Sequence, residues 1–596
     1  VYYLSNRSGS NQVWRSTLTG ADPVEVTRLP LDVGSFRVSP KGDRLLVSMD
    51  VFVDCPDLAC TQQRLDTLAR APAHGRLYDS LFVRHWDAWS DGRRSQLFAL
   101  DLDASGTAVG APRNVSGNLD GDVPGKPFGG REDYAFSPDG SQVAFSVRVG
   151  TVGEPWSTNF DIYLVPAGGG TPQNLTAANP AWDGQPAFSP DGAKLAYLAM
   201  SRPGFEADRF VLTLLNLKTG VKQALTQGWD RSISSFEWSR DGASLLAAAD
   251  DLGQHRLFAV DLKTGRPTAI TGDGDAEGFS VGPHQVFYTR SDLAHPADLY
   301  SIARDPHGRG PSAPLQLTHL NQATLDQRTL APFEQFSFPG SNHDTVYGYL
   351  VKPAGFENGR SYPLAFVVHG GPQGSMGNVW HWRWNAQTLA GAGYAVVMID
   401  FHGSTGYGQA FTDSISGDWG GKPLEDLRLG LADALARHPW LDANRMCALG
   451  GSYGGYMMNW IAGQWPDRFK CIVTHDGIFD NRSMYYSTEE LWFPEWENGG
   501  PEYLNPAGYS KHNPVDFVNR WKTPTLVIHG ELDYRVPFAQ GLAVYTALER
   551  RGVPAELLYF PDENHWVLKP ANSVQWYDTT IAWMNRWTTV STSPSK

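Results

Sequence analysis

The chemistry of this chain centres on Gly450-Gly451-Ser452-Tyr453-Gly454-Gly455. A serine framed as G-x-S-x-G is the pattern of a nucleophile held on a sharp strand-to-helix turn. The flanks agree: Met446 to Leu449 is an apolar strand-like run, and Gly454 to Gln464 reads as a helix. Glycines let the backbone turn tightly without a clashing Cβ, and the helix N-terminus beneath would favour an oxyanion. A serine hydroxyl is inert until a base takes its proton, so an acid and then a histidine should follow in the chain. The strand-like run Thr525 to Gly530 leads into Glu531-Leu532-Asp533-Tyr534-Arg535-Val536-Pro537, and Glu556 to Phe560 leads into Pro561-Asp562-Glu563-Asn564-His565-Trp566. Both segments lie just past carboxyl ends of strands, the edge where an elbow presents its serine. The reading is therefore Ser452 as nucleophile, His565 as general base and Asp533 as the group that orients His565 and stabilises its imidazolium form. Glu531, Asp562 and His529 are neighbouring rivals; Glu531 and His529 precede the loop position expected to face the serine. His529 and His475 read as packed strand-end histidines.

An earlier strand-like run ends in His369-Gly370-Gly371-Pro372. A Gly-Gly loop there can bring a backbone N–H to the reacting carbonyl oxygen, forming an oxyanion hole with the Tyr453 N–H. His369 reads as a ring that packs this loop.

These residues require a parallel sheet covered on both faces. From about Ala331, continuous apolar runs such as Ala365 to His369 and Tyr394 to Asp400 alternate with helical stretches such as Leu424 to Arg437. That alternation predicts an α/β domain over residues 331–596. The first half is different. Phe136-Ser137-Pro138-Asp139-Gly140, Phe188-Ser189-Pro190-Asp191-Gly192 and Trp238-Ser239-Arg240-Asp241-Gly242 place their serines at intervals of 52 and 50. Phe36-Arg37-Val38-Ser39-Pro40-Lys41-Gly42 lies 98 residues before the first of these, two periods or one period with a long insertion, and a weaker copy is Gly282-Pro283-His284-Gln285. About four short strands per period of this length predict a β-propeller over residues 1–330, its first blade incomplete. Long connections, among them Asp54 to Asp91, Arg148 to Asn159 and Ser201 to Arg209, would gather on one working face.

Of the 596 residues, 41% are hydrophobic and 19% charged, which predicts a globular chain, and a net charge of −14 argues against general nucleic-acid binding. No apolar run is long enough to span a bilayer. The chain opens at Val1 inside a strand-like run, which reads as the loss of a leader. Four cysteines are present. Cys55 and Cys60 bracket four residues and are expected to form a disulfide in a periplasmic or secreted protein; no second pair or His cluster follows at zinc spacing. Cys447 and Cys471 sit in apolar runs and are expected as buried, unpaired thiols.

With its repeats, the His-Gly-Gly-Pro loop, the elbow, Asp533-Tyr534-Arg535-Val536-Pro537 and Asn564-His565, the sequence resembles the prolyl oligopeptidase family of serine peptidases over almost its whole length. Within it, the loop and the D-x-R-V-P segment look most like the acylaminoacyl-peptidase branch. Trp156 to Asp161 and the Cys55–Cys60 insertion look like that branch's dipeptidyl-peptidase 5 type. The resemblance implies a propeller that caps an α/β-hydrolase and admits short peptides. It implies that Gly371 supplies the second oxyanion N–H and that Arg535 binds the carbonyl two residues before the cut. Phe479, Val536 and Tyr485 would then line an apolar pocket for the residue before the cut. The paired-Glu helix with which animal dipeptidyl peptidases grip the substrate amine has no match expected here. A free amine would need a carboxylate from the propeller, with Glu154, between Gly153 and Pro155, as first candidate and Glu132, Asp133 and Glu206 behind it.

The expected activity is release of N-terminal dipeptides, with an apolar residue before the cleaved bond. The rivals are an acylaminoacyl-peptidase or small oligopeptidase with the same machinery, a carboxylesterase, and a non-catalytic propeller–hydrolase scaffold. No cofactor or metal is called for, short peptides are the expected partners, and a homodimer is compatible with this reading.

Overall fold

The structure, a computed structural model, describes residues 1–303 and 313–589. Its first half is a series of antiparallel sheets in chain order. A three-stranded sheet (Tyr2–Ser5, Gln12–Arg15, Val24–Glu25) is followed by a four-stranded one running from Phe36–Val38 to Ala108–Asn114. Two more four-stranded sheets start at Tyr134–Phe136 and Asp183–Phe188. The last two units, starting at Ile233–Trp238 and Asp275–Val281, are joined by one parallel bridge between His255 and Asp275.

The repeated turn explains the repeated sequence. In three units the serine hydroxyl donates to the aspartate two residues on at 2.6 Å: Ser137 to Asp139, Ser189 to Asp191 and Ser239 to Asp241. The glycine that follows each aspartate has positive φ, 74°, 71° and 66°, where a Cβ would be strained. The 98-residue gap is one period with an insertion. Between Arg44–Val51 and Arg94–Leu102, which are paired neighbours, the chain adds a helix, Leu58–Ala69, and a two-stranded hairpin, Arg84–His85 with Ala88–Trp89. Cys55 and Cys60 are disulfide-bonded at the start of that helix, whose N-cap Asp57 accepts from the Cys60 N–H.

The second half is an eight-stranded sheet: β1 (Phe333–Pro339), β2 (Thr345–Val351), β3 (Tyr362–Val368), β4 (Ala395–Asp400), β5 (Leu441–Gly451), β6 (Cys471–His475), β7 (Thr525–Gly530) and β8 (Ala555–Phe560). The order is β1-β2-β4-β3-β5-β6-β7-β8; β2 is antiparallel to both neighbours and the remaining pairs are parallel. Alternate residues of each strand enter opposite cores. Leu364, Phe366 and Val368 pack beneath the helices Lys422–Arg437 and Tyr453–Gln464. Ala365 and Val367 pack with Leu389, Trp576 and Trp583 of the helices Ala386–Gly391 and Pro570–Thr588.

Cys447 and Cys471 are not free thiols. They are register partners on β5 and β6, their Cα atoms 4.7 Å apart, and they form a second disulfide. Among the described residues no cysteine is unpaired. The bridge closes a loop of 24 residues around the elbow helix. Replacing both cysteines by alanine should cost about 3 kcal/mol of stability, read as a lower denaturant midpoint, with an m-value that rises as the unfolded chain loses its cross-link. An unaltered midpoint would show that the bridge does not hold this part of the fold together.

Candidate active site

Ser452 stands between β5 and the helix Tyr453–Gln464 with φ 59° and ψ −120°, a region a non-glycine residue adopts only under constraint. The constraint is close packing of backbone. A Cβ on Gly450 would lie 2.4 Å from the Gly454 carbonyl oxygen, one on Gly454 2.2 Å from that of Val368, and one on Gly455 2.4 Å from that of His475. Glycine at all three lets the helix start directly over the ends of β3, β5 and β6. The Ser452 N–H is fixed on the His475 carbonyl at 2.9 Å.

The loops after β7 and β8 bring Asp533 and His565 together. His565 Nδ1 is 2.7 Å from Asp533 Oδ2, and the other Asp533 oxygen accepts from the Val536 N–H at 2.8 Å. Burial pushes the Asp533 carboxyl up, but His565 and His529 outweigh it and hold the group well below the usual carboxylate range. Ser452 and His565 border one cavity of about 400 Å³. The structure shows the hydrogen bond from His565 to Asp533 and none between His565 and the Ser452 hydroxyl. That leg is commonly loose without substrate. A second buried carboxylate, Asp476, directly follows β6 with its Oδ2 3.7 Å from His565 Nδ1.

The rivals are otherwise engaged. His529 is fully buried with Nε2 2.7 Å from the Val536 carbonyl, and Asp562 binds Lys569 at the surface. His369 stacks on Phe401 at 4.1 Å and is tied to the Gly370 carbonyl and the Ser404 hydroxyl, a loop-packing role. Gly371 and Tyr453 border the cavity beside Ser452, and among the described residues neither N–H has an acceptor in the protein.

Arg535 and Val536 line the same cavity. Phe479 and Tyr485 do not. Phe479 is buried in the hydrolase core against Trp521, and the Tyr485 hydroxyl donates to Glu495 with its ring on Tyr509. The apolar wall is instead Ile478, Met484, Phe493 and Val536. Glu154 is also misplaced by the sequence reading. Its carboxylate is buried, bound by Arg94 at 2.8 and 3.2 Å with Arg148 3.8 Å away, and it does not border the cavity. Nor do Glu132 and Asp133. Glu206 does. It accepts from the Trp492 indole at 2.8 Å, and desolvation together with nearby Glu490 pushes its carboxyl up.

Two adjacent glutamates of the hydrolase half, outside any helix and not bordering the cavity, hold Arg535 rather than offering a site for an amine. Glu489 and Glu490 are buried and grip Arg535, with Nε 2.6 Å from Glu489 Oε1 and Nη2 on Glu490. The guanidinium loses solvation there, but Glu490 and Glu489 more than hold its charge. The insertion hairpin supplies Trp86, whose ring lies 5.6 Å from that of His565 and against Phe128 and Trp566. Only the Glu-Glu dipeptide carried a local signal; the rest depends on contacts hundreds of residues apart.

Glu497 borders the cavity as well, and burial pushes its carboxyl from 4.5 to about 7 despite donors from Trp419 and Gln373. A raised folded-state value means the folded protein binds the extra proton, so stability is lost as pH rises from about 4.5 to about 7 and the loss is complete above that window. The isosteric Glu497→Gln variant should therefore melt close to the wild type at pH 4.5 and increasingly above it towards pH 8. A melting difference that does not change with pH would contradict this.

Residues 380–591 match the model of the prolyl oligopeptidase family. The chain is 35% identical over 540 residues to dipeptidyl-peptidase 5 of Schizosaccharomyces pombe, covering 88% of this chain and 77% of that one. It is 32% identical over 593 residues to dipeptidyl-peptidase 5 of Porphyromonas gingivalis, covering 98% and 84%. In fold it is similar to an acylaminoacyl peptidase solved with Z-Gly-Gly-Phe-chloromethyl ketone (TM-score 0.81, 20% identity, 98% of this chain and 86% of that one). The uncomplexed acylaminoacyl peptidase of Pyrococcus horikoshii is similar too (TM-score 0.80, 20% identity, 100% and 88%).

Proposed function

The chain belongs to the prolyl oligopeptidase family of serine peptidases, and from that premise we propose that it releases dipeptides from the free N-termini of short peptides. The observation that carries this reading is the composition of one cavity: Ser452, His565, Arg535 and the repeat-borne carboxylate Glu206 all face it. Ser452 Oγ attacks the carbonyl carbon while His565 takes the hydroxyl proton, and Asp533 holds the imidazolium so formed. The N–H groups of Tyr453 and Gly371 receive the developing oxyanion. His565 then returns its proton to the leaving amine, and water hydrolyses the acyl-enzyme on Ser452 by the reverse sequence.

Arg535 binds the carbonyl two residues before the cut, and Ile478, Met484, Phe493 and Val536 favour an apolar side chain just before it. Glu206 takes the place the sequence reading gave Glu154 and pairs with the substrate ammonium. Its side chain is exposed and faces the cavity, so the carboxylate is accessible to that ammonium. The repeat sheets close as a propeller over the cavity, with the domain boundary near residue 330, and exclude folded chains. Two disulfides suit an oxidising compartment, so the enzyme works in the periplasm or outside the cell.

Product analysis by mass spectrometry on unblocked peptides should show successive dipeptides. Ser452→Ala and His565→Ala should each lower kcat by about 10⁶-fold. Glu206→Gln should lower kcat/KM for a free-amine dipeptidyl amide by about 100-fold, the value of one charge-assisted hydrogen bond. Release of single acylated residues in preference to dipeptides would replace this reading with the acylaminoacyl one.

A further inference from the structure

Glu489 and Glu490 are each divided between two masters. One oxygen of each holds Arg535: Glu489 Oε1 on Nε and Glu490 Oε2 on Nη2. The other oxygen of each holds the insertion hairpin, which the chain built more than 400 residues earlier. Glu489 Oε2 accepts from the Trp86 N–H at 3.0 Å, and Glu490 Oε1 lies 2.7 Å from His85 Nε2. The same hairpin is fastened to the loops on either side. Arg84 Nη2 donates to the Ser487 carbonyl at 2.6 Å, just before the acid pair. The Tyr534 N–H, between Asp533 and Arg535, donates to the Trp86 carbonyl at 3.1 Å. Asn564, next to His565, donates from Nδ2 to Asp87 Oδ2 at 2.9 Å.

We propose that residues 84–89 are a strap that sets the aim of Arg535 through Glu489 and Glu490, so that the repeat half is a working part of the peptide site and not only its cover. The physical case is one of hydrogen-bond supply. Both carboxylates are buried, and a buried carboxylate with one oxygen unpaired is costly and free to turn. The strap gives each its second donor. With both oxygens committed, the two carboxylates fix the guanidinium plane from two directions. His85 suits this role because burial, with Arg148 and Arg535 nearby, lowers its pKa to about 4 even against the pull of Glu489. It is therefore neutral at working pH and can place its one ring proton on Nε2. Phe82 stacks on the ring at 4.5 Å and keeps it turned towards Glu490. Trp86, at φ 58°, is held at both backbone polar atoms, its N–H donating to the Glu489 carboxylate and its carbonyl accepting from the Tyr534 N–H.

The inference rests on the reading that Arg535 binds the substrate carbonyl two residues before the cut. His85 does not border the cavity, so it tests the strap without touching substrate. His85→Ala in the full chain should raise KM for a dipeptidyl amide by about tenfold and leave kcat within about threefold, the signature of lost uniform binding. Hydrolysis of p-nitrophenyl acetate, which has no second residue for Arg535 to hold, should be unchanged. His85→Gln, whose side-chain amide can donate from a similar position, should restore most of the lost affinity. An unchanged dipeptidyl KM in His85→Ala, or a parallel loss of ester hydrolysis, would overturn the strap's role. Arg535→Ala is the control: it should raise the same KM at least as much. A normal KM in Arg535→Ala would remove the substrate role of Arg535 and the strap inference together, an outcome distinct from failure in His85→Ala alone.

Discussion

The functional half of this molecule is organised by one constraint, the forced backbone turn at Ser452. A non-glycine residue at φ 59° costs on the order of 1–3 kcal/mol and persists only where the surroundings over-determine it. Here they do. The Ser452 N–H is tied to β6, and Gly450, Gly454 and Gly455 bring three stretches of backbone closer than any Cβ would allow. The helix that follows is buried along almost its full length, so the turn cannot relax by tilting it. From that fixed point the rest follows by topology. Strands β6, β7 and β8 are laid down in order beside β5, and their carboxyl ends deliver Asp476, Asp533 and His565 to the edge where the serine stands.

What the sequence disclosed and what it hid divide along physical lines. Local constraints were legible. The glycines of the elbow and the Ser-x-Asp-Gly turn of three repeats are set within a few residues of chain, and the order of serine, acid and histidine follows from short motifs at successive strand ends. Face and register were not. Phe479 and Ile478 are adjacent in a loop and both are buried in the hydrolase core, but Phe479 turns onto Trp521 and only Ile478 also lines the cavity. Cys447 and Cys471 look like ordinary strand residues until β5 and β6 are set side by side and prove to be partners. Glu154 had the composition of a stiffened loop acid, but Arg94 of another sheet consumes its charge.

The same distinction explains why the substrate side of the site was the hardest to read. Its polar groups come from both halves of the molecule: Glu206 and the neutral His85 from the repeats, and Glu489, Glu490, Glu497 and Arg535 from the hydrolase. Buried ions of this kind need partners that satisfy every oxygen and every N–H, and the partners lie where the tertiary fold puts them. Hydrophobic periodicity carries no trace of such an arrangement. It builds two scaffolds, and the buried polar cluster is assembled where they meet.

The central claim is that Ser452 is the nucleophile of a site that reads a free amine two residues from the cut. A dipeptide diphenyl phosphonate with an apolar residue next to phosphorus tests both parts in one assay, prepared with its amine free and with the amine acetylated. The account predicts that the free-amine form inactivates the enzyme at least tenfold faster and that peptide mass spectrometry finds the phosphonyl group on Ser452. Equal or faster inactivation by the acetylated form, or a label on any other residue, would contradict it.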